Sequence, residues 1–254
     1  MNTKEILTFT VNVGSLMLSS GAEIYRVKET IVHILNGLAV EEFDVYVVSN
    51  GIFASAHENR EDACSVIRNI TKAEMHSGKI SAINQLSRDI YNHDCDFEEA
   101  KERFAQIEKI PRTKYKYLLL FCGIGASAFT YMFKGSLYDC LISFINGFIL
   151  GYFLYKVKGS KFIRNIFGAF IVSGVAMIAA KLFPILNYNA IIIGTLMPLV
   201  PGVALTTGVR DLFHGDYLSG AIHMLDAFIT GLCIAVGVGT LVSLIAMMKG
   251  FGIW

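Results

Sequence analysis

Residues 182–209 read LFPILNYNAIIIGTLMPLVPGVALTTGV, 28 positions without a charged side chain between Lys181 and Arg210. A helix that crosses a bilayer needs roughly 17–25 apolar residues, so this run is long enough, and it marks the C-terminal half as a membrane region. Its interior is interrupted by Pro198 and by Pro201-Gly202. Each proline removes a backbone donor and disturbs the preceding turn. In lipid the freed carbonyls need new partners, so such breaks are tolerated where they are buried in protein or line a watery cavity. One use of a broken helix is to bind a solute at the midplane, its half-helix N-terminus facing an anionic group. The other is a kink that serves packing alone.

Working outward, four more uncharged runs appear. Lys116 to Lys134 encloses 17 residues, Asp139 to Lys156 encloses 16, Arg164 to Lys181 encloses 16, and Asp226 to Lys249 encloses 22. Lysines at span ends can snorkel, so five transmembrane helices are expected near 116–133, 137–156, 162–183, 188–209 and 221–248. The alternatives are a re-entrant pair in place of the fourth, or one short run that is a buried soluble helix. Gly147 and Gly151, four apart in the second span, fit a close helix contact.

The charge distribution divides the chain. Residues 1–116 hold 31 charged side chains and residues 117–254 hold 12. The expected fold is therefore an α+β cytoplasmic N-terminal domain over 1–112, followed by an α-helical membrane domain of five transmembrane helices over 113–254. Overall 54% of residues are hydrophobic and 17% charged, and the mean hydropathy is +0.51. Soluble proteins carry about 25% charged residues, so an ordinary soluble enzyme and a disordered chain are both excluded. A net charge of +1 without a polybasic run argues against a nucleic-acid partner. Arg112, Lys114 and Lys116 precede the first span, and Lys156, Lys158, Lys161 and Arg164 lie between the second and third. The other short loops are poorer in cations, which predicts a multi-pass protein of the cell (inner) membrane with its N-terminus inside and C-terminus outside.

In the N-terminal part, Ile6, Phe9, Val13, Leu16 and Met17 recur at helical spacing. Thr8, Thr10, Asn12 and Ser15 interrupt the run as a signal peptide would not allow, so an amphipathic helix that stays in the mature protein is expected. A second helix is expected over 22–38. The period then changes: residues 45–48 and 52–54 flank Asn50-Gly51, a hairpin signal because both residues tolerate positive φ. A third strand over 64–70 follows a polar turn over 57–62, then helices near 79–92 and 97–109, with Asp96 and Glu99 as a capping box.

No nucleophile elbow, P-loop or HExxH motif occurs. His57, Glu58, His76, His93 and Cys95 match no metal-ligand spacing, and five cysteines without CxxC favour neither a disulfide framework nor a zinc site. No metal and no cofactor is expected, and the protein is not read as an enzyme. Candidate substrate-binding residues are Pro198, Pro201, Gly202, Thr206, Thr207 and Arg210. The break offers backbone donors where a helix dipole favours an anion, and Arg210 can add a bidentate contact or guard the mouth in a pair with Asp211. Asp226 and His223, three apart on the fifth span, with Asp211, are candidates for proton coupling, because ionisable groups inside a span are functional by default; the alternative is that Asp226 and His223 sit at the cytoplasmic rim in water, since the span starts near 221. Glu23 and Arg26, also three apart, read from spacing alone as a surface pair.

Ser20-Gly21-Ala22-Glu23-Ile24-Tyr25-Arg26-Val27, followed by Glu29 and Thr30, resembles the N-terminal signature of the threonine/serine exporter family. Pro201-Gly202-Val203-Ala204-Leu205-Thr206-Thr207-Gly208-Val209-Arg210-Asp211, with Gly215-Asp216-Tyr217 and Ser219-Gly220, resembles its membrane signature. Thr207 stands where asparagine is expected, and His223 where arginine is common. The resemblance implies gradient-driven export of small carboxylates: threonine and serine in some members, succinate in a two-subunit bacterial system. It also implies that a chain of this length is the longer subunit of a split transporter and needs a second short membrane subunit. The resemblance raises Glu23 and Arg26 above a surface pair. The rival functions are a membrane-anchored sensor or scaffold, and a membrane-bound enzyme with its active site in the N-terminal domain.

Overall fold

The computed structural model describes residues 2–57, 63–70 and 75–250. The expected turn beyond His57, including Glu58, and the C-terminal residue Trp254 lie outside the described residues. The chain forms two compact units, Met1–Arg112 with Thr207–Ile222 and Thr113–Thr206 with His223–Trp254. It is mostly helical, with one small sheet.

In the first unit, helix α1 (Thr3–Ser19) buries Leu7, Val11 and Met17, and α2 (Ile24–Gly37) buries Val27, Ile31, Ile34 and Leu35. These helical stripes make one core with Ile83 and Ile90 of α3 (Ser77–Tyr91) and with Phe97 and Ala100 of α4 (Phe97–Glu108). The sheet runs β1 (Glu42–Val48), β2 (Gly51–His57), β3 (Ala63–Asn69), antiparallel throughout. Ile52, Ala54 and Ala56 of β2 alternate into the core. A slip of one residue would turn all three outward, so burial sets the register. That register pairs Val48 with Gly51 and leaves Ser49 and Asn50 as the turn. The hairpin forms as expected, but neither Asn50 nor Gly51 takes the positive φ expected of it. Asp96 caps α4 by accepting from the Glu99 N–H, while the Glu99 carboxylate pairs with Arg103.

In the second unit, α5 (Tyr115–Met132) and α6 (Leu137–Lys156) form an antiparallel hairpin. A Cβ added at Gly147 would meet Ala126 Cβ and the Cys122 carbonyl at 2.7 Å, so the expected close contact is present, here against α5. Helix α7 (Lys161–Leu182) returns alongside α6, with Leu150, Ala169, Val172 and Ala176 in the core. The fourth uncharged run, 182–209, becomes two helices, the second of which passes into the first unit at Thr207, and that unit also holds the start of the helix after it, up to Ile222. Helix α8 (Tyr188–Leu196) passes through a 3-10 turn at Met197–Leu199, and α9 (Gly202–Phe213) follows at a bend of 56°. The prolines expected to break this run stand in the bend. Helix α10 (Tyr217–Gly250) runs parallel to α7. Asp226 meets Lys161, Gly237 meets Ile166, and Leu241 meets Gly174, so both sequences advance together.

Helices α6, α7 and α10 are long and apolar enough to cross a membrane, and the bent α8–α9 pair adds a fourth candidate if it is one span. Helix α5 falls short of that measure because Lys116 and three tyrosines occupy its 18 residues.

Candidate functional site

The two motifs quoted above meet inside the first unit. Gly21, at φ +82°, turns the chain from α1 into α2. Glu23 is the N-cap of α2 and makes no side-chain capping bond. Its carboxylate instead accepts from Nη1 of Arg210, 187 residues away. Two residues on, the Tyr25 ring stacks on His214, with centroids 5.1 Å apart and planes inclined by 2°. His214 Nδ1 lies 2.8 Å from the Arg210 carbonyl oxygen. A carbonyl can only accept, so this nitrogen carries the proton. Gly215, at φ +84°, then turns the chain into α10. The start of α10 packs so closely on α9 that a Cβ at Gly220 would lie 2.7 Å from Leu212.

Water reaches this cluster. The Arg210 side chain is 47% exposed and that of Glu23 is 23% exposed, so the ion pair contributes about 1 kcal/mol or less. Burial, and then the adjoining Glu23 carboxylate, push the Tyr25 phenol above its ordinary value, while Arg26 and Arg210 pull it down. The phenol therefore stays neutral at physiological pH. Arg26 is exposed on α2, and Asp211 is buried on α9.

At the other end of α9, Pro198 is exposed in the 3-10 turn, Pro201 is half-buried, and Gly202 opens the helix with no atom within 4 Å of an added Cβ. Thr206 Oγ1 donates within its own helix, 3.0 Å from the Gly202 and Val203 carbonyls. Thr207 is half-buried one residue later. In the second unit, Asp226 Oδ2 accepts from Lys161 Nζ at 2.6 Å, and His223 is half-buried one turn earlier on α10.

In the second unit Asp139 served in the sequence only as the edge of an uncharged run, and the neutral polar groups inside the runs carried no signal by charge. Asp139 is 1% exposed. Its Oδ2 accepts from the Ser136 N–H and hydroxyl, and its Oδ1 accepts from the Asn187 N–H at 2.8 Å. Asn187 in turn caps α8, so one carboxylate organises two helix starts. Thr130 donates to Ser143 at 2.6 Å between α5 and α6. Asn146, fully buried on α6, donates through Nδ2 to the Val172 carbonyl of α7 at 3.0 Å. Among the described residues, neither Asn146 Oδ1 nor the buried Ser173 Oγ has a hydrogen-bond partner. The available signal was a neutral polar residue at the middle of an uncharged run. Among the described residues, no three His, Cys, Asp or Glu gather as metal ligands would.

The sequence profile of the family described as "Putative threonine/serine exporter" matches residues 8–245. A protein named "Threonine/serine exporter" from Corynebacterium glutamicum is 23% identical over 246 residues, covering 92% of this chain and 50% of that protein. "Pheromone-regulated membrane protein 10" of Candida albicans is 23% identical over 244 residues, which is 91% of this chain and 21% of that protein. The protein of the same name from Debaryomyces hansenii is 23% identical over 242 residues, which is 91% of this chain and 24% of that protein. The chain thus spans half the length of the bacterial relative and under a quarter of the fungal ones. No solved structure matches.

Proposed function

The chain belongs to the threonine/serine exporter family, and from that premise we propose that it is a subunit of a secondary transporter that exports small carboxylates. Threonine, serine and a dicarboxylate such as succinate are the candidate substrates, and an ion gradient is the energy source. The observation that carries the reading is the meeting of the two signatures: Glu23 with Arg210, and Tyr25 with His214.

The substrate carboxylate engages the start of α9. Val203 and Ala204 carry the N–H groups that a helix start leaves without intrahelical partners, and the helix dipole there favours an anion. Arg210, about 12 Å further along the axis at 1.5 Å per residue, stands with Glu23 at the far end of the same helix as a guard over passage. Asp226 with His223 is the proton-coupling group. A proton on Asp226 removes the charge that holds Lys161, which loosens the α7–α10 contact.

The N-terminal unit is cytoplasmic and the C-terminus is outside, with five spans. The parallel course of α7 and α10 supports this count: two parallel helices need one crossing between them, which the bent α8–α9 pair supplies. A second short membrane subunit completes the transporter and covers polar backbone at the break. The test is efflux of labelled threonine, serine and succinate from cells with and without this gene. Equal efflux of all three would refute the proposal.

A further inference from the structure

Resting on the transport reading above, we infer that Asn146 and Ser173 form an ammonium-binding subsite at the membrane midplane that selects amino acids over dicarboxylates. Asn146 lies nine residues from the start of α6 and ten from its end, and Ser173 lies twelve and nine from the ends of α7. At 1.5 Å per residue, each is roughly 14–18 Å from either end of its helix, which is the centre of a hydrocarbon layer about 30 Å thick. The break lies about 6–8 Å from that level, toward the end of α6 and the start of α7, at 1.5 Å per residue. Leu199 of the 3-10 turn packs with Leu150 at Gly168 of α7, one turn beyond Asn146 on α6 and five residues before Ser173 on α7.

The chemistry of the pair follows from its bonds. The Val172 carbonyl accepts from Asn146, so the amide must present its NH2 there and its oxygen elsewhere. That oxygen and the Ser173 hydroxyl, next in sequence to the carbonyl Asn146 holds, are both buried without a partner among the described residues. An unsatisfied polar atom in a membrane core costs several kcal/mol, so each needs a partner during the working cycle. The amide oxygen can only accept and the hydroxyl can accept as well as donate, so the pair fits a donor with several N–H bonds. An α-ammonium has that character, whereas the second carboxylate of succinate would set its lone pairs against those of the Asn146 amide oxygen. With the substrate carboxylate on the start of α9, the ammonium comes to rest on α6 and α7 when these helices part.

The test compares L-threonine with 3-hydroxybutyrate, which lacks only the ammonium. Both are offered as labelled solutes to membrane vesicles from the chain's own host, and succinate is a third probe. Asn146→Leu keeps the volume and leaves the Val172 carbonyl its helix bond, and Ser173→Ala removes a single oxygen. Each is expected to lower the ratio of kcat/KM for threonine to that for 3-hydroxybutyrate by about tenfold or more, as loss of a hydrogen bond to a charged group does. An unchanged ratio in both variants, with the two solutes losing or keeping transport together, overturns the subsite and leaves the pair to an internal water. Wild-type transport of succinate without threonine also overturns it while the transporter reading stands. Wild-type vesicles that move none of the three solutes above vesicles lacking the chain defeat both.

Discussion

Three glycines of α10 separate close packing from helix propensity. A Cβ at Gly237 would lie 2.3 Å from the Ile166 carbonyl oxygen and 2.9 Å from Ala169 Cβ, both on α7, whereas Gly231 and Gly239 have nothing within 4 Å. Even a close carbon–oxygen contact is about 3.3 Å. Alanine at 237 therefore forces the two helices apart by about 1 Å, and the obstacle is backbone that cannot rotate away. A gap of that size forfeits roughly a quarter to a half of each contact along the seam. Overpacking costs about 1–3 kcal/mol, while any glycine-to-alanine change inside a helix gains about 1 kcal/mol of propensity. The propensity gain is common to all three sites and cancels in the comparison. Gly237→Ala is therefore expected to be about 1–3 kcal/mol less stable than Gly231→Ala or Gly239→Ala. Denaturant unfolding of the purified proteins in one detergent reads this difference. Equal stability of the three variants would refute the α7–α10 register, and with it the structural support for an odd number of spans.

Three further expectations test the proposed function. Arg210→Ala and Glu23→Gln should each raise the KM for threonine, and the double variant should lose little more than the worse single one, with a coupling of about 0.5–1 kcal/mol; strictly additive losses would mean that the two residues act separately. Asp226→Asn should abolish proton-driven efflux while substrate binding stays measurable, and normal transport with an unchanged pH dependence would reduce Asp226 to a rim charge paired with Lys161. Reporter fusions at residues 112, 160 and 254 should read inside, inside and outside; a cytoplasmic signal at 254 would contradict the five-span arrangement.

Local periodicity made the α+β unit legible, because each of its elements buries a face with its own repeat. The stripe of Val27, Ile31, Ile34 and Leu35 can only be helical, and Ile52, Ala54 and Ala56 can only be a strand. The turn between β1 and β2 was less legible, since core burial of the strands, and not the Asn50-Gly51 pair, decides which residues form it. The prolines revealed the break but not its 56° bend, which depends on what packs against Leu199. The partners of charged residues were hidden for a different reason. Lys161 and Asp226 are 65 residues apart, and Glu23 and Arg210 are 187 apart. No periodicity spans such distances, and only the resemblance put Glu23 and Arg210 in one functional frame. Asn146 and Ser173 were invisible to charge counting because neither carries a charge.

The parallel pairing of α7 and α10 also bears on what the broken run is for. If α8 and α9 formed a re-entrant loop, the chain would return to the face it left, and α10 would start beside the end of α7 and run antiparallel to it. The contacts run the other way: Lys161 with Asp226 near the helix starts, then Ile166 with Gly237, then Gly174 with Leu241. The bent pair is thus better read as a single crossing whose hydrogen-bond ladder is interrupted part-way. Helix α8 covers about 13 Å before the 3-10 turn, and Leu199 of that turn packs with Leu150 at Gly168 of α7, so the interruption lies inside the helix bundle. A crossing broken only for packing would need no polar neighbours there. Here the neighbouring helices α6 and α7 hold two buried oxygens, Asn146 Oδ1 and Ser173 Oγ, without partners among the described residues. A helix start with free N–H groups, together with an amide oxygen and a hydroxyl on the helices beside it, can meet the two ends of a zwitterion, and on that ground we propose a binding role for the break over a packing role.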